Sequence, residues 1–418
     1  MKKIRIGLAG LGVVGRGIYE ILQKDSKLLT LRTQAELEIV AVSARTKKDF
    51  LDPKIKFYAN IIDLANDPEI DVIVEVIGGD GIAKDLIETA IKNGKKIVTA
   101  NKALLAEHGF ELAKLVEKYQ SHIGFEASVA GATPAIKTAK ENLAGNQIKE
   151  IHAILNGTSN FILTKMKEEN LDFAVALKQA QDLGYAETDP SSDIKGVDTA
   201  HKIVLLAAIA SGTKPNFAQT YVEGIDEISI DDIKLADEFG YKIKLLATFK
   251  PGQQAVYPAL IKKSEQVAQV DGAFNAILFN ASNAGLSLII GAGAGSIPTA
   301  SAIVADLVDV ARGNQTFLFG VKSDDLHEAT IENISQRVGK YFLRLFIEKN
   351  SGEEKPAEKI FDEKIKIEQA AFFDRGDEIL CGFLTGEQKE SELSEALINL
   401  DPALVKSAKF IRVETTNF

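Results

Sequence analysis

"KIRIGLAGLGVVGRGIYE", residues 3–20, decides the fold. Its first half, IRIGLA, reads as a strand buried in a sheet. Gly10-Leu11-Gly12-Val13-Val14-Gly15 then carries a G-x-G-x-x-G spacing, and Arg16 onward reads as a helix. Between a strand and a helix that spacing has a physical meaning. The first glycine permits the turn, the second lets a diphosphate approach the backbone, and the third lets helix and strand pack closely. The helix N-terminus then faces the anion. Two lysines ahead of an apolar run superficially suggest a secretory signal. The glycine spacing and the early return of charge at Arg16 and Glu20 argue against it.

Outward from this stretch the pattern repeats. Residues 36–45 and 70–79 read as strands, the second ending in two glycines, 82–93 as a helix, 95–102 as a strand ending at Lys102, 103–120 as a helix and 122–131 as a strand. Strands alternating with helices of this length predict an α/β fold with an N-terminal Rossmann-type, doubly wound parallel sheet over residues 1–130, which binds ligands at the carboxyl ends of its strands. Beyond about residue 130 the order changes to helix 134–144, a strand within 147–160, helices at 161–183 and 198–211, and a strand-rich stretch at 243–291 with a hairpin at Asn283-Ala284-Gly285. This predicts a second, α+β domain over 131–320, with the helix near 299–315 packing back on the first domain. The polar segment 321–337 reads as a boundary. Residues 338–418 read strand, helix, strand, strand, helix, strand, a ferredoxin-like order, with a hairpin across Asp374-Arg375-Gly376-Asp377.

Composition bounds the function. With 418 residues, two or three domains are expected. A net charge of −10 with no basic cluster disfavours a nucleic-acid surface. The longest apolar stretch, IVLLAAIA at 203–210, is too short to span a bilayer. A single cysteine, Cys381, forms no intrachain disulfide and fits a reducing, cytoplasmic setting. Histidines 108, 122, 152, 201 and 327 show no zinc spacing.

The second strand ends VSARTKK, without the acid that would favour NAD at the adenine ribose. Arg45, backed by Lys47 and Lys48, suits a 2′-phosphate, so NADP is the expected cofactor, with NAD the alternative. A solvated basic turn would have the same sequence. Lys102 falls just past a strand's carboxyl end, where a nicotinamide enzyme keeps its reactive edge. A lysine at a helix start is unfavourable to the dipole, which hints at another use.

GYAETDPSSDIKGVDTAHK, residues 184–202, gathers Glu187, Asp189, Asp193 and Asp198 ahead of Lys202. Asp198 and Lys202 are four apart and share a helix face. An exposed pair of this kind contributes only about 0.3–0.5 kcal/mol. The helix that follows is almost wholly apolar, so the pair is expected to be buried, where desolvation is expensive. Acids that hold an ammonium and a lysine that exchanges a proton during hydride transfer suit an amino-acid substrate.

With these stretches in view, the sequence resembles homoserine dehydrogenase over nearly its whole length. The resemblance is carried by GLGVVG, TANKALLA, FEASVAGATPAI, ILNGTSNFIL, AQDLGYAETDPSSDIKGVDTAHK and GAGAGSIPTASAIVADL. It implies reversible NAD(P)H-dependent reduction of L-aspartate 4-semialdehyde to L-homoserine, on the route to threonine and methionine. It implies Lys202 as proton donor, Lys102 at nicotinamide and substrate, and Glu187 and Asp198 at the substrate's amino end with Asp193 in support. Gly184 resembles a cofactor contact, and the expected cofactor set is Gly10 to Gly15, Arg45, Gly78, Ala100, Lys102, Gly184 and Gly293. Glu126, Val129, Gly131 and Thr133 resemble a sodium-type cation loop, supplying mostly backbone oxygens. The family commonly pairs two chains through its central domain, implying that 131–320 is a substrate-binding and dimerisation domain and that the chain forms a homodimer or higher homo-oligomer. No fused kinase region is expected ahead of the nucleotide-binding strand. The tail resembles an ACT domain in its element order, but EKNSGEEKP at 348–356 stands where a compact Pro-Gly turn is usual, so a structural or dimerising tail is as consistent as an effector-binding one. The competing functions are a dehydrogenase of a sugar or cyclitol and a non-catalytic NADP-binding regulator.

Overall fold

A computed structural model describes residues 1–349, 361 and 365–416. Six strands, β1 (Lys2–Ala9), β2 (Ala35–Ser43), β3 (Lys56–Tyr58), β4 (Val72–Glu75), β5 (Lys96–Thr99) and β6 (Ile123–Gly124), form a parallel sheet in the order β3-β2-β1-β4-β5-β6. The order reverses between β1 and β4, which opens a crevice at their carboxyl ends. The helices Val13–Lys24, Gly81–Lys92 and Lys102–Lys118 make the crossovers. Helix Ser296–Arg312 packs on helix Val13–Lys24, and its Ala300, Ile303 and Leu307 share a buried core with Ile6, Leu8 and Val42. A Cβ at Gly17 would lie 2.8 Å from the Ser296 hydroxyl, so this close crossing requires glycine.

The remaining strands are β7 (Ile148–Ile154), β8 (Tyr221–Val222), β9 (Tyr241–Lys250), β10 (Gln253–Lys262), β11 (Phe274–Ala281), β12 (Gly285–Ala292), β13 (Val338–Gly339), β14 (Tyr341–Glu348), β15 (Ile367–Asp374), β16 (Glu378–Thr385), β17 (Gln388–Lys389) and β18 (Val405–Glu414). Most join one ten-stranded sheet, β12-β11-β7-β9-β10-β18-β14-β16-β15, with β8 beside β10, while β13 pairs only β17. The hairpins at 283–285 and 374–377 form between β11 and β12 and between β15 and β16. The tail strands pair in the order fourth, first, third, second, with helix Glu390–Ile398 between the last two in sequence. The tail's first expected helix and its 350–356 turn lie outside the described residues.

Several local expectations need correction. The expected helix 161–183 is two helices, Gly157–Glu169 and Phe173–Asp182, because Asn170 takes a left-handed φ of 53° and stops the first. The expected strand 122–131 is only Ile123–Gly124. A 3₁₀ turn, Glu126–Ser128, follows it because the Glu126 N–H donates to Asp306 rather than to a neighbouring strand. Helix 134–144 contracts to a short helical segment that includes a π turn, Thr138–Asn142. The tail does not stand apart as its own sheet, because β18 pairs in parallel with β10 and extends the central one.

Candidate active site

Three chain segments meet around one carboxylate. Helix Val197–Ser211 starts after Gly196, whose φ of 80° turns the chain, and puts Asp198 in its first turn. One turn later the Lys202 ammonium donates to Asp198 Oδ2 at 2.6 Å and to the Leu155 carbonyl at 2.7 Å. Lys102, first residue of its helix, brings a second ammonium to Asp198 Oδ1 at 3.2 Å. That helix is capped by Asn101, whose side chain accepts from the Leu104 N–H and donates to the Gly79 carbonyl at 2.6 Å, tying β5's end to the loop after β4. The third segment is β7's exit. Asn156 caps helix Gly157–Glu169 through Ser159 N–H, and its amide donates to Asp193 Oδ1 at 2.7 Å and Asp198 Oδ2 at 2.9 Å.

The electrostatics follow from this sharing. Burial alone would raise Asp198, but the Lys202 and Lys102 charges outweigh it and hold the carboxyl well below its usual range. Burial lowers Lys202, Asp198 opposes that, and the second lysine adds to the lowering, so its proton is held less firmly than in a private ion pair. Asp193 is raised, first by burial and then by the neighbouring Asp198, against the Asn156 amide. Both Asp198 oxygens are engaged, whereas Asp193 Oδ2 has no hydrogen bond among the described residues.

The glycine loops line up at the same end of the first sheet. Gly10 has φ 109° and donates to the Ser43 carbonyl, and a Cβ at Gly15 would stand 2.1 Å from the Gly10 carbonyl oxygen. Helix Val13–Lys24 has no side-chain cap and no acid in its first turn, so its N-terminal N–H groups remain available to an anion. A Cβ at Gly12 meets nothing within 4 Å. After β4, buried Glu75 accepts from the Ile77 and Gly78 N–H groups and from the Thr99 hydroxyl at 2.5 Å, which fixes the Gly78 loop against the turn that carries Ala100 and Lys102. Ser296 donates to the Val13 carbonyl at 2.7 Å, joining the loop that follows Gly293 to the glycine turn. Gly293 itself rests on Asn275, whose amide donates to the same Leu155 carbonyl that Lys202 uses.

Thus Lys102, Lys202, Asp193 and Asp198 are brought together, and Gly10 to Gly15, Gly78 and Ala100 border the crevice. Arg45 is exposed two residues past β2 and has no ion pair among the described residues. Gly184 and Glu187 lie on an exposed loop held by its backbone, through Gln181 to the Glu187 carbonyl and Thr158 to the Tyr185 carbonyl. The Glu187 carboxylate makes no hydrogen bond to the cluster. In the segment expected to hold a cation, the Glu126 carboxylate accepts from the N–H groups of Ala135, Ile136 and Lys137 at 2.6 to 3.0 Å, so it caps the following helical turn. The Thr133 hydroxyl is buried without a partner among the described residues. Asn156 is the functional residue that the sequence reading left unassigned; its position between a strand and a helix is the signal that marks it as a cap.

Comparison with known proteins shows the family. A family model described as homoserine dehydrogenase matches residues 134–308, and one described as the homoserine dehydrogenase NAD-binding domain matches 10–126. The chain is 48% identical over 318 residues to a homoserine dehydrogenase of Neisseria gonorrhoeae, covering 75% of this chain and 73% of the relative. A crystal structure of a homoserine dehydrogenase from Thiobacillus denitrificans superposes with a TM-score of 0.92 at 38% identity, covering 100% of this chain and 99% of the other. A hyperthermophilic archaeal homoserine dehydrogenase in complex with NADPH matches with a TM-score of 0.66 at 27% identity, over 75% of this chain and 99% of the other.

Proposed function

The chain belongs to the homoserine dehydrogenase family, and from that premise we propose which of its residues carry the reaction. It is a nicotinamide-dependent oxidoreductase acting on a CH–OH group, interconverting L-homoserine and L-aspartate 4-semialdehyde in amino-acid biosynthesis. A bound nicotinamide dinucleotide would supply or take up the hydride. Gly10 to Gly15 would hold its diphosphate, and Gly78, Ala100, Gly184 and Gly293 would line its cleft. Lys202 holds the proton for the substrate oxygen: its ammonium donates during reduction, and its neutral amine accepts during oxidation. Lys102 adds positive charge where the alkoxide develops. Asp198 is occupied by both lysines and orients them. Asp193, with its free Oδ2, receives the substrate ammonium, and Glu187 joins it from the exposed loop. The observation that carries this reading is the sharing of Asp198 by Lys202 and Lys102. Titration of homoserine oxidation with each lysine replaced by methionine tests it: turnover is lost while NADP affinity is kept. Normal turnover in the Lys202→Met protein would overturn the assignment.

NADP is the proposed cofactor, supported by unpaired Arg45 with Lys47 and Lys48 and by the archaeal relative's NADPH complex. Arg45→Ala is then expected to lower kcat/KM with NADP about tenfold and leave that with NAD unchanged. A monovalent cation fits the Val129 and Gly131 carbonyls and the orphaned Thr133 hydroxyl, rather than the Glu126 carboxylate already bound to backbone. The proposed division is a dinucleotide domain over 1–130 completed by the helix at 296–312, a substrate and dimerisation domain over 131–320, and an ACT-like tail from 338. A homodimer is supported by Leu286 and Ile290, exposed on edge strand β12. No helix among the described residues is long and apolar enough to cross a membrane, and cytoplasmic residence is supported by the lone buried Cys381.

A further inference from the structure

Lys140, in the π turn Thr138–Asn142, has neither a hydrogen bond nor an ion pair among the described residues. Its recorded contact is the face of the Phe125 ring, 5.2 Å from the ammonium. Three of the surrounding acids are committed elsewhere, and the exposed neighbour Glu141 makes no ion pair with it among the described residues. Asp306 and Asp309 pair with Lys137, and Glu126 caps the turn through three N–H groups. Lys140 borders a cavity of about 430 Å³ together with His122, Gln315, Thr316 and the apolar Ile123 and Leu318. The one acid in that wall, Glu117, is turned away and accepts from the Ser323 N–H at 2.7 Å and hydroxyl at 2.8 Å. Burial pushes Lys140 down to about 8, against Asp306, Glu141 and Glu126. His122 is pushed down to about 4, first by burial and then by the Lys140 and Lys96 charges. The pocket therefore presents an ammonium with no ion pair among the described residues, whose desolvation the surrounding carboxylates offset only in part. A wall of this kind favours an anion with a short carbon body.

We infer that this cavity binds a small organic or inorganic anion, a carboxylate or a phosphate, with the Lys140 ammonium as its charge partner. The site is separate from the reaction centre. Lys102 opens helix Lys102–Lys118, and Val116 and Glu117, near the other end of that helix, line the cavity. At 1.5 Å per residue, the two ends are roughly 20 Å apart. An anion here would also touch the 315–320 segment, whose Phe319 packs edge-on against Phe125 at 6.2 Å and over Gly109 of the same helix. The site therefore reaches the core of the dinucleotide domain without entering its cleft.

The test uses the full chain with its cofactor cleft saturated by NADP, so that anions binding there do not contribute. Thermal shift and calorimetry are run with succinate in one arm and inorganic phosphate in the other. Saturable binding of at least one is expected, weakened about tenfold or more in Lys140→Gln and restored in Lys140→Arg. Homoserine turnover in both variants is expected to stay within about twofold of the parent, since the cavity stands apart from the hydride site. A response to succinate alone assigns a carboxylate site, and one to phosphate alone a phosphate site. No saturation by either anion, or equal binding in parent and Lys140→Gln, overturns the inference. Should Lys140→Gln fail to fold, acylation of the parent decides: the anion protects Lys140 from an amine-reactive reagent if the inference holds, and leaves its labelling unchanged if it does not.

Discussion

At the start of helix Val197–Ser211, two lysines share Asp198. At the junction of the tail with the central sheet, arginines are matched to acids instead. Arg412 donates to both Glu390 oxygens at 2.8 and 2.6 Å and to Glu223 at 2.6 Å, while Arg337 donates to Glu414 at 2.7 Å and the Val413 carbonyl at 2.9 Å. Both clusters are buried. At this junction each of these arginines has a carboxylate partner, with only the Arg337 Nη1 left without a hydrogen bond among the described residues, and the guanidinium does not give up its proton at any working pH. In the site, the carboxylate is outnumbered and the cation is an amine that burial already inclines toward neutrality. Burying charge in the first way fastens two parts of a sheet together; burying it in the second way keeps a proton transferable.

The sharpest test of the contrast is Lys202→Met. If the amine moves a proton, kcat for homoserine oxidation falls by about 10³-fold, with the NADP dissociation constant changed by no more than a few-fold. Steady-state kinetics and cofactor titration read both. A loss in NADP affinity as large as the loss in kcat would mean that Lys202 holds the cleft together and does no chemistry.

The matched cluster should fail in the opposite manner. Glu390→Ala leaves the Arg412 guanidinium buried with only Glu223 as its counter-charge, which costs about 3 kcal/mol of unfolding free energy. Denaturant unfolding measures that loss. At a temperature where the variant is folded, its kcat should match the parent's. A fall in kcat without a fall in stability would mean that the tail cluster communicates with the reaction.

Asn156→Ala sits between the two cases, because this amide is structural and borders the chemistry. It removes a helix cap worth about 1 kcal/mol and frees both Asp193 and Asp198 from their bridge. kcat/KM for homoserine is expected to drop about tenfold or more, with Asn156→Asp recovering the cap but not the bridge, since a carboxylate cannot donate to two others. Equal activity in the two variants at equal stability would show that only the cap matters.

These residues also show what sequence reveals. The glycine turn and the Asp198–Lys202 pair are legible because each is local: a fixed spacing on a strand–helix junction, or one helical turn. Lys102 is legible because it lies just past the carboxyl end of a strand, although it opens the helix that follows rather than closing the strand. Asn156 is not, because its role exists only when residues 37 and 42 positions away fold against it. The joining of β18 to β10 is illegible for the same reason: no periodicity within the tail announces that its last strand will pair with a strand some 150 residues earlier. The short β3, Lys56–Tyr58, is too brief to carry a period at all. Glu187 stands out as one acid among several, yet sequence alone does not say whether its exposed loop brings the carboxylate to the lysines.

The smallest expected effect concerns acid. Glu414 lies in the matched cluster, accepting from Arg337 and from the Tyr257 hydroxyl at 2.9 Å. Burial would raise it, but the Arg337 and Lys250 charges outweigh burial and bring it down to about 2 from 4.5. A carboxyl depressed in the folded state contributes its full stability above its unfolded value and loses it as pH falls through 4.5 toward 2. Between pH 5 and pH 4 this single group should therefore subtract about 0.7 kcal/mol from the unfolding free energy. Glu414→Gln, less stable at neutral pH, should show a correspondingly shallower slope over that interval when denaturant curves are compared. Asp198 at the lysine pair contributes with the same sign but less over that interval, because its carboxyl is likewise depressed in the folded state and its unfolded value of 3.8 lies below the window. An unchanged slope in Glu414→Gln would locate the acid sensitivity elsewhere and remove the tail cluster's claim to be the tightly matched half of the comparison.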